Sequence, residues 1–313
     1  MDTTDVLIFC EMSFKYFDYP GKNRRPSPKQ IGSKLGLDER TVRVRTRRME
    51  HEGFIQYYQT IPNLCLFKRP VASLCNFRVP SISEKQRALE KAREVKDVID
   101  IADFLGETFG ITISGSSDED LNKKAARIAS QLNITQFQLT PPRRLPTPRR
   151  SLEKLDWQLV KSLRYDALRP TKEIANDLRI TYRMAEYTLG KLFESLALST
   201  RAIINARDPK GIIFYSLNLS LNAEKSTPII QRLRSLYGER LWWRFNPPGP
   251  TVVLFLFSTS IGRAEDDLLQ ALSSPGVRDG SLTVFKGWIE PKRPSWIDWQ
   301  IGEKIEQFVK NGS

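Results

Sequence analysis

The feature that most limits how this chain can fold is that it repeats itself. Ile174-Ala175-Asn176-Asp177-Leu178-Arg179-Ile180 lies over Ile31-Gly32-Ser33-Lys34-Leu35-Gly36-Leu37 at an offset of 143 residues, and the same offset sets Leu192 over Met49 and Leu198 over Ile55. Beyond each stretch, hydrophobic periodicity and chain breakers predict six elements in one order. In the first half, strands are expected over 71–79, 98–104, 108–114 and 134–139, with helices over 84–95 and 118–132. In the second, strands are expected over 212–221, 240–245, 251–258 and 281–289, with helices over 224–237 and 263–272. The order β-α-β-β-α-β is that of a ferredoxin-like sandwich, an antiparallel sheet with two helices on one face.

The expected fold class is therefore α+β, with two winged helix-turn-helix modules alternating with two ferredoxin-like sandwiches. The boundaries fall at 1–60 and 61–140 for the first pair and at 151–207 and 208–291 for the second. A basic, proline-rich linker occupies 141–150 and a helix rich in tryptophan closes the chain over 292–313. The linker's prolines favour an extended path; its four arginines either track phosphates or are simply solvated.

Residues 36–54, GLDERTVRVRTRRMEHEGF, read as the turn and second helix of the first module. Gly36 suits a sharp turn, Asp38 an N-cap and Gly53 the helix end. Val42, Thr46 and Met49 recur at helical spacing, so one stripe can pack while Arg40, Arg43, Arg45, Arg47 and Arg48 occupy the remaining circumference. From Lys22 to Arg48, ten cations stand against Asp38 and Glu39. A strand over 54–59 would lie beside this helix as a wing.

The whole chain carries a net charge of +13 in 313 residues, which favours a polyanionic partner. Cys10, Cys65 and Cys75 form no CxxC pair, which suggests a reducing compartment and no zinc finger. No apolar run reaches the ~18 residues of a membrane span, and the start lacks a signal-peptide order. The expectation is a soluble, cytoplasmic protein at the nucleoid, with no membrane partner.

Residues 31–55, IGSKLGLDERTVRVRTRRMEHEGFI, resemble the reading unit of the leucine-responsive regulator (Lrp/AsnC) family of bacteria and archaea, and 152–181 resemble its opening helices. The resemblance covers nearly the whole chain as two tandem copies. It implies a transcription regulator that binds double-stranded DNA and self-associates through its sandwiches, within the chain or as a homodimer, and it allows a small-molecule effector. Gly106-Glu107-Thr108-Phe109-Gly110 and Pro247-Pro248-Gly249-Pro250 depart from that family's Gly-x-Tyr-Asp turn, so no effector-binding residues are carried over.

Arg43 and Arg47, one turn apart, are expected at base edges, and Arg40 and Arg48 at bases or phosphates. Arg45 either joins them or braces the fold through an acid such as Glu52. Thr41 and Ser27 offer hydroxyls to phosphate, and Lys22, Arg24, Arg25 and Lys29 reach the flanking backbone. Opposite Arg43, Arg45 and Arg47 the second copy has Glu186, Thr188 and Gly190, so that helix is expected to have become structural or protein-binding, the alternative being that it reads a few bases weakly. Trp242, Trp243, Trp288, Trp296 and Trp299 are expected in packing.

No phosphate-binding loop, dinucleotide fingerprint, metal set or nucleophile-base pair is present, so no catalytic residue, metal or cofactor is expected, and the chain does not read as an enzyme. Two alternatives stand beside the regulator: a weakly specific architectural chromatin protein, and an enzyme similar to the siroheme decarboxylases, which resemble the same family. His51, the only histidine, lies in the reading module, where a helix end favours a cation.

Overall fold

A computed structural model describes residues 1–12, 27–207, 211–222, 226–245 and 250–310. The first helical module consists of α1 (Thr3–Met12), α2 (Pro28–Leu35), α3 (Glu39–His51) and the strand β1 (Ile55–Pro62). It is followed by β2 (Val71–Arg78), α4 (Ile82–Glu94), β3 (Val98–Phe104), β4 (Thr108–Gly115), α5 (Asp118–Leu132) and β5 (Gln136–Leu139), and by the two-residue strand β6 (Arg143–Arg144). The second module holds α6 (Lys154–Ser162), α7 (Thr171–Asp177), α8 (Tyr182–Glu194) and β7 (Leu198–Ile204). Then come β8 (Ile213–Leu221), α9 (Ser226–Tyr237), β9 (Leu241–Phe245), β10 (Thr251–Ser258), α10 (Ile261–Leu272), β11 (Val277–Ile289) and the closing helix α11 (Trp296–Lys310).

The main sheet runs β5-β2-β4-β3-β11-β8-β10-β9. Each half has its own first strand in the middle, flanked by its third and fourth, which is the antiparallel ferredoxin-like order. The halves fuse where β3 pairs with β11, Phe104 opposite Phe285 and Ala102 opposite Trp288. Alternation along the strands decides the faces. Val71, Cys75 and Phe77 of β2 pack with α4 and α5 around Leu89, Leu121 and Ile128, and Tyr215, Leu217 and Leu219 of β8 pack with α9 and α10 around Leu233 and Ala264. On the opposite faces α1 covers one end, with Phe9 edge-on to Phe214 at 6.3 Å, and the remainder lines a groove of about 1200 Å³.

The wing strand of each module is completed by the other's. β1 and β7 pair antiparallel with Tyr58 opposite Ala202, Gln59 opposite Arg201 and Thr60 opposite Thr200. At the 143-residue offset Tyr58 matches Arg201 and Gln59 matches Ala202, so the two contacts are reciprocal, the signature of a twofold relation. An isolated two-stranded ribbon is marginal in water, and here it is sustained by burial. Phe54 stacks on Phe214 of β8 with ring centroids 5.7 Å apart, and Phe9 meets Phe54 edge-on at 5.7 Å.

The expected linker is tied to the fold along its length. Arg143 and Arg144 pair with Ala72 and Val71, the Leu145 amide donates to the Pro70 carbonyl at 2.8 Å, and Asn63 Nδ2 donates to the Pro146 carbonyl at 2.8 Å. Trp296 packs against Phe67 beneath the Arg69 guanidinium, and Trp288 packs against Phe285. Trp299, by contrast, faces solvent, and the side chains of Trp242 and Trp243 lie outside the described residues.

Candidate nucleic-acid interface

The approach to α3 is built by local chemistry. Ser27 caps α2 by accepting from the Gln30 amide at 3.2 Å, and the Gln30 side chain accepts in return from the Ser27 amide at 2.8 Å. Gly36 ends α2 in the left-handed region at φ 68°. Gly32 is needed because a Cβ there would stand 2.5 Å from the Leu37 carbonyl oxygen. Asp38 then caps α3, accepting from the Thr41 amide at 2.8 Å and from the Thr41 hydroxyl. Those two bonds hold the Asp38 carboxyl below the usual carboxylate range.

Val42 and Met49 are fully buried against the Phe9-Phe54-Phe214 cluster, each adding ~1.5–3 kcal/mol of burial. Their burial orients the rest of the helix. Arg40, Arg43, Val44, Arg47 and His51 fall at i, i+3, i+4, i+7 and i+11 and all are exposed. A helix ~10–12 Å across fits the ~12 Å width of a duplex major groove, and at a rise of 1.5 Å per residue Arg40 to Arg47 spans roughly 10 Å of axis, about three base-pair steps. Arg43 is steadied by an ion pair to Glu39 one turn back. Arg40, Arg47 and the exposed Lys29 have no acidic partner among the described residues.

Arg45 is braced, but by other acids than Glu52. Its guanidinium meets Asp2 at 2.8 Å and Asp5 at 3.0 Å, and Arg48 bonds the second oxygen of Asp5. Glu52 lies beyond the helix, whereas the α1 carboxylates sit against its flank. Burial pushes the Asp2 carboxyl up, but the bonds from Arg45 and the Asp5 amide outweigh it and leave it lowered; the same contacts with Asp2 and Asp5 raise Arg45. Nothing in the sequence pattern singled out Asp2 and Asp5. An acid just before α1 followed three residues later by one in its first turn is the signal that could have found them. Arg48 remains half exposed, while the hydroxyls of Ser27 and Thr41 are engaged in the caps. Lys22, Arg24 and Arg25 lie outside the described residues.

The α8 surface differs in kind. Thr181 caps it by accepting from the Met184 amide at 3.2 Å, and Ala185 and Leu192 are buried where Val42 and Met49 are in α3. Its outer face presents Tyr182, Met184 and Tyr187, with the Lys191 ammonium 4.2 Å above the Tyr187 ring. Among the described residues, no helix is long and apolar enough to cross a membrane.

No protein-family model matches the chain, and no curated protein matches it. Among solved structures, it is similar to the siroheme decarboxylase NirDL in co-complex with an iron-uroporphyrin III analogue, at 10% identity over 99% of both chains with a TM-score of 0.53. A second structure of NirDL matches at 10% identity over 98% of this chain and 100% of that one, with a TM-score of 0.55. An AsnC family transcriptional regulator from Agrobacterium tumefaciens matches 49% of this chain and 95% of its own at 15% identity and a TM-score of 0.30. At these identities the full-length likeness establishes the fold: a mixed α+β chain with the two-module, two-sandwich arrangement described above.

Proposed function

We propose that this protein is a DNA-binding transcriptional regulator of Lrp/AsnC type that lays α3 in the major groove. One observation carries the reading: Arg40, Arg43 and Arg47 form an outward stripe on a helix whose opposite face is locked into the core. Arg43 and Arg47 take base edges, Arg40 and Arg48 take bases or phosphates, and Lys29 with Arg24 and Arg25 follows the flanking backbone. Arg45 positions the helix through Asp2 and Asp5. The reciprocal β1–β7 pair sets the two modules side by side within one chain, as a self-contained counterpart of a dimer.

The test is fluorescence anisotropy on genomic-fragment duplexes, with the wild type and the Arg40→Ala, Arg43→Ala, Arg47→Ala variant. A sequence-specific regulator holds an affinity ratio of at least ~10³ for its own site over random duplex. A ratio near one with a steep salt slope would identify an architectural protein instead. Equal binding by wild type and variant would remove α3 from the interface.

The full-length likeness in fold to a siroheme decarboxylase favours an enzyme as the second reading. A polycarboxylated tetrapyrrole needs cations to neutralise it, and the groove between the half-sheets offers Arg78 against Asp118 and Asp279. A visible absorption change on adding iron-uroporphyrin would support that reading over the first.

A further inference from the structure

We infer that the groove between the two sheet faces turned away from α4, α5, α9 and α10 binds an uncharged small molecule bearing vicinal hydroxyls, as carried by a free sugar or a nucleoside. The inference stands independently of whether α3 reads DNA. At about 1200 Å³ the groove has the room, since small-molecule sites run to ~300–1,000 Å³.

The lining is set by strand register. On β8, Ser216, Asn218 and Ser220 alternate with the buried Tyr215, Leu217 and Leu219, so all three face the groove. Across the ladders, Asn218 stands beside Ser281 on one side and Val253 on the other, and Ser220 stands beside Thr251. In the other half Asn76 stands between Gln138 of β5 and Gly110 of β4. Gly110 keeps this spot open, because a Cβ there would lie 2.8 Å from Leu74 Cδ1 and 3.3 Å from Asn76 Oδ1. Asn76 and Asn218 hold equivalent places in the two ladders although the 143-residue offset sets Asn76 over Leu219: one stands opposite Gly110 and the other opposite Val253, which that offset does relate.

These polar groups are not spent on the fold. Asn76, Gln138, Ser216 and Ser220 make no side-chain hydrogen bond among the described residues, and the buried Thr251 Oγ1 has no partner among them. Asn218 Nδ2 gives one long bond, 3.4 Å, to Thr283 Oγ1. Asparagine is depleted in strands, and a shielded amide without a partner is costly. Amides and hydroxyls both donate and accept, which matches the hydroxyl of a diol. Among the described residues, the charged ones in the lining are Arg78, Asp118 and Asp279, a set unsuited to a polyanion. Phe104 and Phe255 add apolar rings to the lining, suited to the C–H face of a sugar ring or to a base.

The full chain is titrated calorimetrically with D-glucose, D-ribose, adenosine and uridine, and with glucose 6-phosphate, adenosine monophosphate and iron-uroporphyrin as charged counterparts. Saturable binding of a neutral probe, at least ~10-fold tighter than its charged counterpart, is the expected result. Binding of glucose or ribose identifies a sugar site; binding of adenosine or uridine without ribose identifies a nucleoside site. Asn76→Ala with Asn218→Ala should weaken it at least ~10-fold and leave duplex binding unchanged. Should that variant fail to fold, Gln138→Leu on the exposed edge strand serves in its place and should weaken binding severalfold. No saturable binding of any neutral probe, tighter binding of the charged ones, or unchanged affinity in the folded variants would overturn the assignment.

Discussion

The two halves place the same helix on two different surfaces. α3 and α8 are both 13 residues long, both capped, and both seated by two buried apolar residues seven apart, Val42 and Met49 in one and Ala185 and Leu192 in the other. Their outer faces share only one residue: Arg40 matches Arg183, but Arg43 matches Glu186, Val44 matches Tyr187 and Arg47 matches Gly190. The supports differ too. Asp5 and Asp156 are buried carboxylates at the third position of α1 and α6, each accepting from the amide three residues before it. Asp5 takes Arg45 and Arg48 from α3, whereas Asp156 takes Arg150 from the segment after β6. The core stripe thus fixes where a helix lies, and the outer stripe, free of that constraint, fixes what it can touch.

The sharpest break in this comparison is to exchange the outer faces. Arg40→Ala, Arg43→Ala and Arg47→Ala together should lower duplex affinity by at least ~100-fold and flatten the log-log salt slope by roughly 3. Anisotropy titrations across a salt series read both. Glu186→Arg with Gly190→Arg should raise affinity severalfold and steepen the slope, because α8 is already held in an equivalent seat. If the graft has no effect while the triple variant does, α8 is aimed away from the duplex and only one module faces it.

The element order was legible because most helices carry a clear period and the buried strands β3 and β10 read as largely apolar runs of strand length. The strand over 98–104, the helix over 118–132 and the strand over 251–258 match β3, α5 and β10 to the residue. Gly36 and Asp38 announced the turn and the cap through backbone and side-chain chemistry that is local. What was not legible is what comes together across the chain. That β3 joins β11, that β1 pairs with β7, and that Asp2 and Asp5 lie under Arg45 all depend on packing between segments tens to hundreds of residues apart. The groove shows the same limit. The alternation Ser216, Asn218, Ser220 was visible in the sequence, but its meaning depends on the opposite half facing it.

Asp5 and Gly190 probe stability rather than contact. Asp5→Asn removes the charge shared by Arg45 and Arg48 and turns one of its two acceptor oxygens into a donor, and should cost ~2 kcal/mol, seen as a lower urea midpoint with the slope unchanged. Asp156→Asn should cost a similar amount but leave duplex affinity unchanged, since Arg150 lies away from α3. Gly190 is interior to α8, and an added Cβ meets nothing within 4 Å. Gly190→Ala should therefore stabilise by ~1 kcal/mol. No gain would mean that α8 is not helical at that point.

The smallest expected effect separates the two helices by acid. A carboxylate whose folded-state pKa lies below its unfolded value of ~3.9 adds stability above that value, and the addition is lost as pH falls through the folded one. Asp38, lowered by the Thr41 hydroxyl and amide, and Asp2, lowered against its burial chiefly by Arg45, both behave this way, and both hold α3. α8 is capped by Thr181, which does not titrate in this range. Amide exchange along α3 should speed up relative to α8 as pH drops from about 5 to 3, after correction for the intrinsic rate. In Asp2→Asn, Asp38→Asn that differential should vanish, because neither acceptor then titrates. Parallel loss of protection in both helices would place the acid-sensitive contacts elsewhere, with Asp97, lowered against its burial by Arg69 and Arg127, and Asp120, lowered against its burial by the Ser116 amide and then Lys124, as the groups to substitute next.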